Sequence, residues 1–135
     1  MKLKHNIALD IATANSAHAA KWKNKRTTWE EVAETLSQTE RTSETVKQYF
    51  SYTKDKQDEI KDVGGFVGGK LLPGTNKIKG QDVTFKAPYG WRRKGFVGHR
   101  QLVALDVDFG TLDVWLDFGL LEYAGLFYTT HKHTP

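Results

Sequence analysis

Few stretches of this chain leave the backbone as little choice as residues 100–110, Arg-Gln-Leu-Val-Ala-Leu-Asp-Val-Asp-Phe-Gly. Residues 102–105 form an apolar run with no turn residue, long enough for a buried strand. Asp106 and Asp108 follow at alternate positions, and on an extended chain residues i and i+2 point to the same face. Two carboxylates on one face repel each other unless a cation or a bound water lies between them. Such a pair of hard oxygen donors suits Mg²⁺ or Mn²⁺. The plainer alternative is a solvated strand end that turns at Gly110.

Residues 124–128 read as a second short apolar strand, which runs into Thr129-Thr130-His131-Lys132-His133. His131 and His133 alternate as the two aspartates do, so a zinc site from these four side chains competes with the Mg²⁺ reading. An apolar strand ending in Asp-x-Asp, then a helix, then a strand ending in Ser/Thr-x-His resembles the archaeo-eukaryotic primase-polymerases. The resemblance is to their phage and mobile-element branch of virulence-associated-E-like proteins. Trp22-Lys23-Asn24-Lys25, Thr28-Trp29-Glu30-Glu31 and the segment 61–69 (Lys-Asp-Val-Gly-Gly-Phe-Val-Gly-Gly) are similar to that branch too. The resemblance therefore covers the chain from about Lys21 onward.

What the resemblance implies is specific. Asp106 and Asp108 would be the catalytic metal carboxylates, and Thr129 with His131 would bind the incoming nucleotide's phosphates. In that family a third acidic residue and an Arg-rich strand come after the histidine motif, whereas this sequence ends at Pro135. The expectation is a single truncated primase-like domain over residues 1–135, catalytically incomplete. Its fold would be α+β, a mixed sheet with flanking helices, like the N-terminal half of a primase-polymerase catalytic module.

A chain of 135 residues with 39% hydrophobic content can bury a real core. It has no cysteine, which excludes disulfides, thiolate zinc sites and a thiol nucleophile. No apolar run approaches the ~20 residues of a membrane span. Asp10 breaks the short apolar stretch behind Lys2 and Lys4, so no secretory signal is expected. The expectation is a soluble protein of the host bacterial cytoplasm with no membrane partner. The net charge of +4 is unevenly spread, about +8 over residues 1–100 and −4 over residues 101–135. The basic part suits phosphates or an acidic protein face, and the acidic part suits a cation.

Two basic stretches stand out. Residues 21–26 set four basic side chains around Trp22, and Trp22, Lys23 and Lys25 are candidate contacts to nucleic acid, with the indole stacking on a base. The alternative is that Trp22 anchors the segment in the core while its neighbours stay solvated. Residues 86–100 hold five Lys/Arg and no acid, interleaved with Tyr89, Trp91 and Phe96. Arg92, Arg93, Lys94 and Arg100 are the candidate binding residues there, on a flexible loop or hairpin. An ordinary exposed loop is the competing reading.

Local signals complete the picture. Ile7, Leu9 and Ile11 alternate, as on a strand. Thr28 and Glu31 form a capping box for a helix over 28–36, with Trp29, Val32, Ala33 and Leu36 as its apolar stripe. A second helix is expected over 43–52, capped by Thr42, with Val46, Tyr49 and Phe50 inward, and Thr53 caps a third over 54–61. Phe66-Val67 reads as a short strand flanked by close-approach glycines, and 71–80 as a surface loop. Thr111 caps a last short helix with Leu112, Trp115, Leu116 and Leu120 inward.

Three functions fit these features. The first is a non-catalytic or incomplete primase-like protein of a phage or mobile element that binds nucleic acid, nucleotide and metal, or a nucleic-acid enzyme. A fragment of an active primase-polymerase belongs with it. The second is a stand-alone inhibitor of a host nucleic-acid-guided defence nuclease, needing no cofactor. The third, an accessory DNA-binding protein, ranks last, because no helix-turn-helix or zinc finger is visible.

Overall fold

Leu9 and Ile11 are buried on one face of strand β1 (Ala8–Ala14) and Ala12 on the other, so this strand is covered on both sides. The computed structural model describes residues 6–38, 41–104, 113–120 and 125, Trp115 by its backbone alone. Within them β1 pairs antiparallel with β2 (Lys21–Thr28) on one edge and with β3 (Gly65–Val67) on the other. β7 (Tyr89–Trp91) adds to β2, giving the order β3-β1-β2-β7.

Helix α1 (Trp29–Ser37) closes one face. Val32 packs on Leu9 and Ile11, with Trp29, Leu36 and Phe66 around them. The capping box at its start is present in full: the Thr28 side chain accepts from the Glu31 N–H, and the Glu31 carboxylate accepts from the Thr28 N–H. The other face is closed by a two-stranded sheet, β4 (Gly69–Leu71) with β8 (Val97–Arg100). There Leu71 joins Ala12, Trp22 and Val67 in a second cluster. Burying each of the larger aliphatic side chains contributes about 1.5–3 kcal/mol, so the two clusters fix the sheet between its covers. The class is α+β, as expected, and every strand pairing among the described residues is antiparallel.

Several expectations are corrected. Residues 71–80 do not form a loop: β5 (Gly74–Ile78) pairs with β6 (Gln81–Phe85) in a hairpin. Its two-residue turn places Lys79 at φ 50° and Gly80 at φ 84°, the sign that two-residue hairpins require. The second helix is α2 (Val46–Ser51), shorter than expected and capped by Thr45 rather than Thr42, because Gln48 completes the box with Thr45. Only Tyr49 of its three apolar residues is buried; Val46 is 63% and Phe50 54% exposed, although i, i+3 and i+4 share one side of a helix. Thr53 caps α3 (Lys54–Lys61) as expected.

The apolar run 102–105 is not a strand over its described part. The N–H groups of Gln101 and Leu102 both donate to the Gly68 carbonyl, at 2.8 and 3.1 Å, which turns the backbone out of the ladder with β4. Leu102 still reaches the core beside Phe66, but Val103 is 85% exposed. In helix α4 (Asp113–Gly119) Leu116 does not point inward among the described residues; it is 70% exposed. Leu120, just past the helix, is 81% exposed. No helix of the described residues is long and apolar enough to cross a membrane.

Candidate nucleic-acid interface

β2 places its side chains alternately. Trp22 and Asn24 face the β4–β8 sheet, whereas Lys21, Lys23 and Lys25 face the side that carries α1. Trp22 is buried and its indole Nε1 donates to the Ala19 carbonyl at 2.6 Å. The indole is therefore a core anchor and is not presented to a base, which corrects its assignment as a stacking residue. Asn24 is fixed by a reciprocal pair with the backbone of Leu71. In Trp22-Lys23-Asn24-Lys25 the first and third residues build the fold, and the lysines are left exposed.

The second basic cluster is divided by its strand in the same way. Arg92 and Arg93 follow β7 and go to opposite faces of the sheet. Arg92 lies 5.0 Å from the centroid of the Trp22 ring and donates to the Ala17 carbonyl. Arg93 lies 5.8 Å from the Trp91 ring and donates to the Lys77 carbonyl at 3.3 Å. Arg92 thus braces the β1–β2 connection and Arg93 the β5 strand of the hairpin, and they form no common patch. Lys94 is exposed in a 3-10 turn, and Arg100 is exposed at the end of β8, opposite Gly69.

Lys21 lies outside the contacts expected from the sequence, yet it makes the shortest cation–ring contact among the described residues. Its Nζ sits 4.0 Å from the Tyr89 ring centroid and 5.9 Å from that of Phe85. The signal that could have found it is the Lys-x-Lys-x-Lys alternation of 21–25, once that stretch is read as a strand. The neighbouring charges are satisfied locally. The Arg26 guanidinium, bonded to Asp10 at 3.1 Å, holds the Asp10 carboxyl below the ordinary carboxylate range, and His99 adds to this from 3.1 Å. The Thr27 hydroxyl and the Thr28 N–H lower Glu31, with a smaller contribution from Lys25.

The segment 61–69 is structural at its described positions. Asp62 accepts from the Ser16 hydroxyl and, at 2.6 Å, from the Ala17 N–H, tying the β1–β2 connection to the end of α3. Gly69 lets β4 approach β8 so closely that a Cβ there would lie 2.0 Å from the His99 carbonyl oxygen. The close approach that Gly64 and Gly69 permit is thus to another backbone.

Asp106, Asp108, Thr129, His131 and His133 lie outside the described residues. Among the described residues, no group of three or more histidine or carboxylate side chains is arranged to hold a metal ion. Neither the curated proteins nor the solved structures contain a match to this chain. The model of the VapE N-terminal domain matches residues 1–135, and the protein belongs to that family, among the VapE-like proteins of phages and mobile elements.

Proposed function

We propose that this chain is the nucleic-acid-engaging part of a VapE-like protein of primase type, and that by itself it completes no nucleotidyl transfer. The observation that carries the reading is the family match over 1–135, joined to a described surface whose lysines are exposed on a strand that the core holds rigid. On this reading Asp106 and Asp108 supply hard oxygen donors of the kind Mg²⁺ or Mn²⁺ accepts, and Thr129 and His131 meet nucleotide phosphates. Two carboxylates recruit an ion, but two-metal phosphoryl transfer needs further ligands to fix both metals.

The test is a fluorescence-anisotropy titration of the 135-residue chain with a labelled single-stranded oligonucleotide. If about three phosphates are neutralised, affinity should fall roughly 20-fold between about 50 and 200 mM salt. No binding at the lower salt would remove the reading. Salt-insensitive capture of a guided nuclease by a chain that binds no oligonucleotide would favour the inhibitor alternative instead. For the metal, Asp106→Asn with Asp108→Asn should abolish Mn²⁺ binding measured by calorimetry while leaving the oligonucleotide affinity of the folded chain unchanged.

A further inference from the structure

We infer that Lys21, Lys23 and Lys25 form a track for the sugar-phosphate backbone of a single-stranded nucleic acid, with Tyr89 as the residue that holds the first ammonium in position. This rests on the nucleic-acid reading above and adds where the strand lies and which form of nucleic acid it is.

Alternation on β2 puts the three lysines on one face, at successive intervals of about 6.6–6.8 Å along the strand. Such even spacing suits repeated charges on an extended polymer better than a single compact anion. All three side chains are exposed, and among the described residues none of them is in an ion pair. Glu31 interacts weakly with Lys25 and forms no ion pair with it; its hydrogen bonds are with Thr27 and Thr28. Three neighbouring cations with one carboxylate near only the last of them repel one another, and a polyanion relieves that repulsion.

The flanking elements set the width. On this face α1 covers β1 and β3 through Leu9, Ile11 and Phe66. The hairpin β5–β6 covers β7, where Phe85 stacks on Trp91 with ring centroids 4.1 Å apart. Among the described residues, the uncovered strip between them is one to two strand spacings wide, roughly 5–10 Å. One polynucleotide backbone fits that strip, whereas the two backbones of a duplex, about 12 Å apart across the major groove, cannot both lie in it.

Tyr89 is the cross-strand partner of Lys23, and its ring lies under the Lys21 ammonium at 4.0 Å. A cation–π contact restrains the ammonium and leaves its N–H groups free to meet a phosphate. Trp22 is buried and Lys21 occupies Tyr89, so binding should follow the backbone with little base preference.

The experiment compares the whole chain with three variants, after circular dichroism and urea unfolding show each to be folded. Changing Lys21, Lys23 and Lys25 together to Gln should lower affinity for a single-stranded oligonucleotide at least 30-fold and make its salt slope shallower by about 2. Lys47→Gln with Lys70→Gln, two exposed lysines outside the track, should change affinity less than about 3-fold. Tyr89→Leu should weaken binding several-fold with the salt slope unchanged, because the number of charges is the same. A duplex of the same sequence should bind about 10-fold more weakly or worse. If the wild-type chain binds and the triple variant keeps its affinity within about 3-fold, the track is wrong while the nucleic-acid reading stands. Equal affinity for duplex, or equally effective competition by polyglutamate at matched charge, would overturn the single-strand assignment. Failure of the wild-type chain to bind any oligonucleotide would remove both.

Discussion

The side chain of Asn24 acts as an extra peptide group for Leu71: its Nδ2 donates to the Leu71 carbonyl at 2.8 Å, and its Oδ1 accepts from the Leu71 N–H at 2.9 Å. This pair joins the central sheet to its β4–β8 cover directly beside the buried Trp22 and Leu71 side chains. Leaving buried backbone groups without partners costs about 1–3 kcal/mol. Asn24→Ala should therefore lower stability by about that amount, read as a shift in urea midpoint at constant slope. Asn24→Asp should be at least as damaging, because a carboxylate would face the Leu71 carbonyl with no proton to donate. A change below about 0.5 kcal/mol in both would show that the pair is not structural.

Gly69 and Gly95 provide a matched comparison. A Cβ at Gly69 would lie 2.0 Å from the His99 carbonyl oxygen and 2.8 Å from the Arg100 Cα, whereas one at Gly95 would meet nothing within 4 Å. Backbone cannot move aside as a flexible side chain can. Gly69→Ala should cost at least about 1–3 kcal/mol, and Gly95→Ala should be within about 0.5 kcal/mol of wild type. Comparable thermal midpoints for the two variants would contradict the close packing of β4 on β8.

The hairpin turn carries a correctable strain. Lys79 adopts φ 50°, a left-handed conformation that costs a side-chain-bearing residue roughly 1 kcal/mol and suits Asn better. Lys79→Asn should raise stability by a few tenths to about 1 kcal/mol, detected as a higher thermal midpoint with unchanged circular dichroism. A lower midpoint would count against the turn geometry.

Asp62 ties stability to pH. The Ser16 hydroxyl, followed by the Ala17 N–H, holds its carboxyl below the ordinary value of 3.8. A carboxyl depressed in the folded state stabilises the protein fully above its unfolded pKa, and that contribution disappears as pH falls through the folded one. Unfolding midpoints followed from about pH 5 down to about pH 3 should fall less steeply in Asp62→Asn than in wild type. Parallel profiles would mean that the clamp between the β1–β2 connection and α3 adds nothing.

The parts of this protein that the sequence determines alone are those held by local hydrogen bonds. Thr28 with Glu31 is a start signal complete within four residues, and the helix begins there. Thr53 likewise starts α3, and the alternation of Leu9 and Ile11 marks a strand before any partner is known. Membership of the VapE N-terminal domain family is legible in the same way, because ordered motifs survive without coordinates.

The surface is decided elsewhere. Arg92 and Arg93 are adjacent in sequence, yet one braces the β1–β2 connection and the other strand β5, because they leave β7 toward opposite faces and meet the carbonyls of Ala17 and Lys77. The burial of Trp22 and the exposure of Lys21, Lys23 and Lys25 depend on a register that pairs β2 with β1 and β7 at once. The contact between Asn24 and Leu71 spans 47 residues and has no local signature. Composition marks a stretch as basic and aromatic, but only strand pairing decides which cations reach solvent together, because a shift of one residue exchanges the two faces.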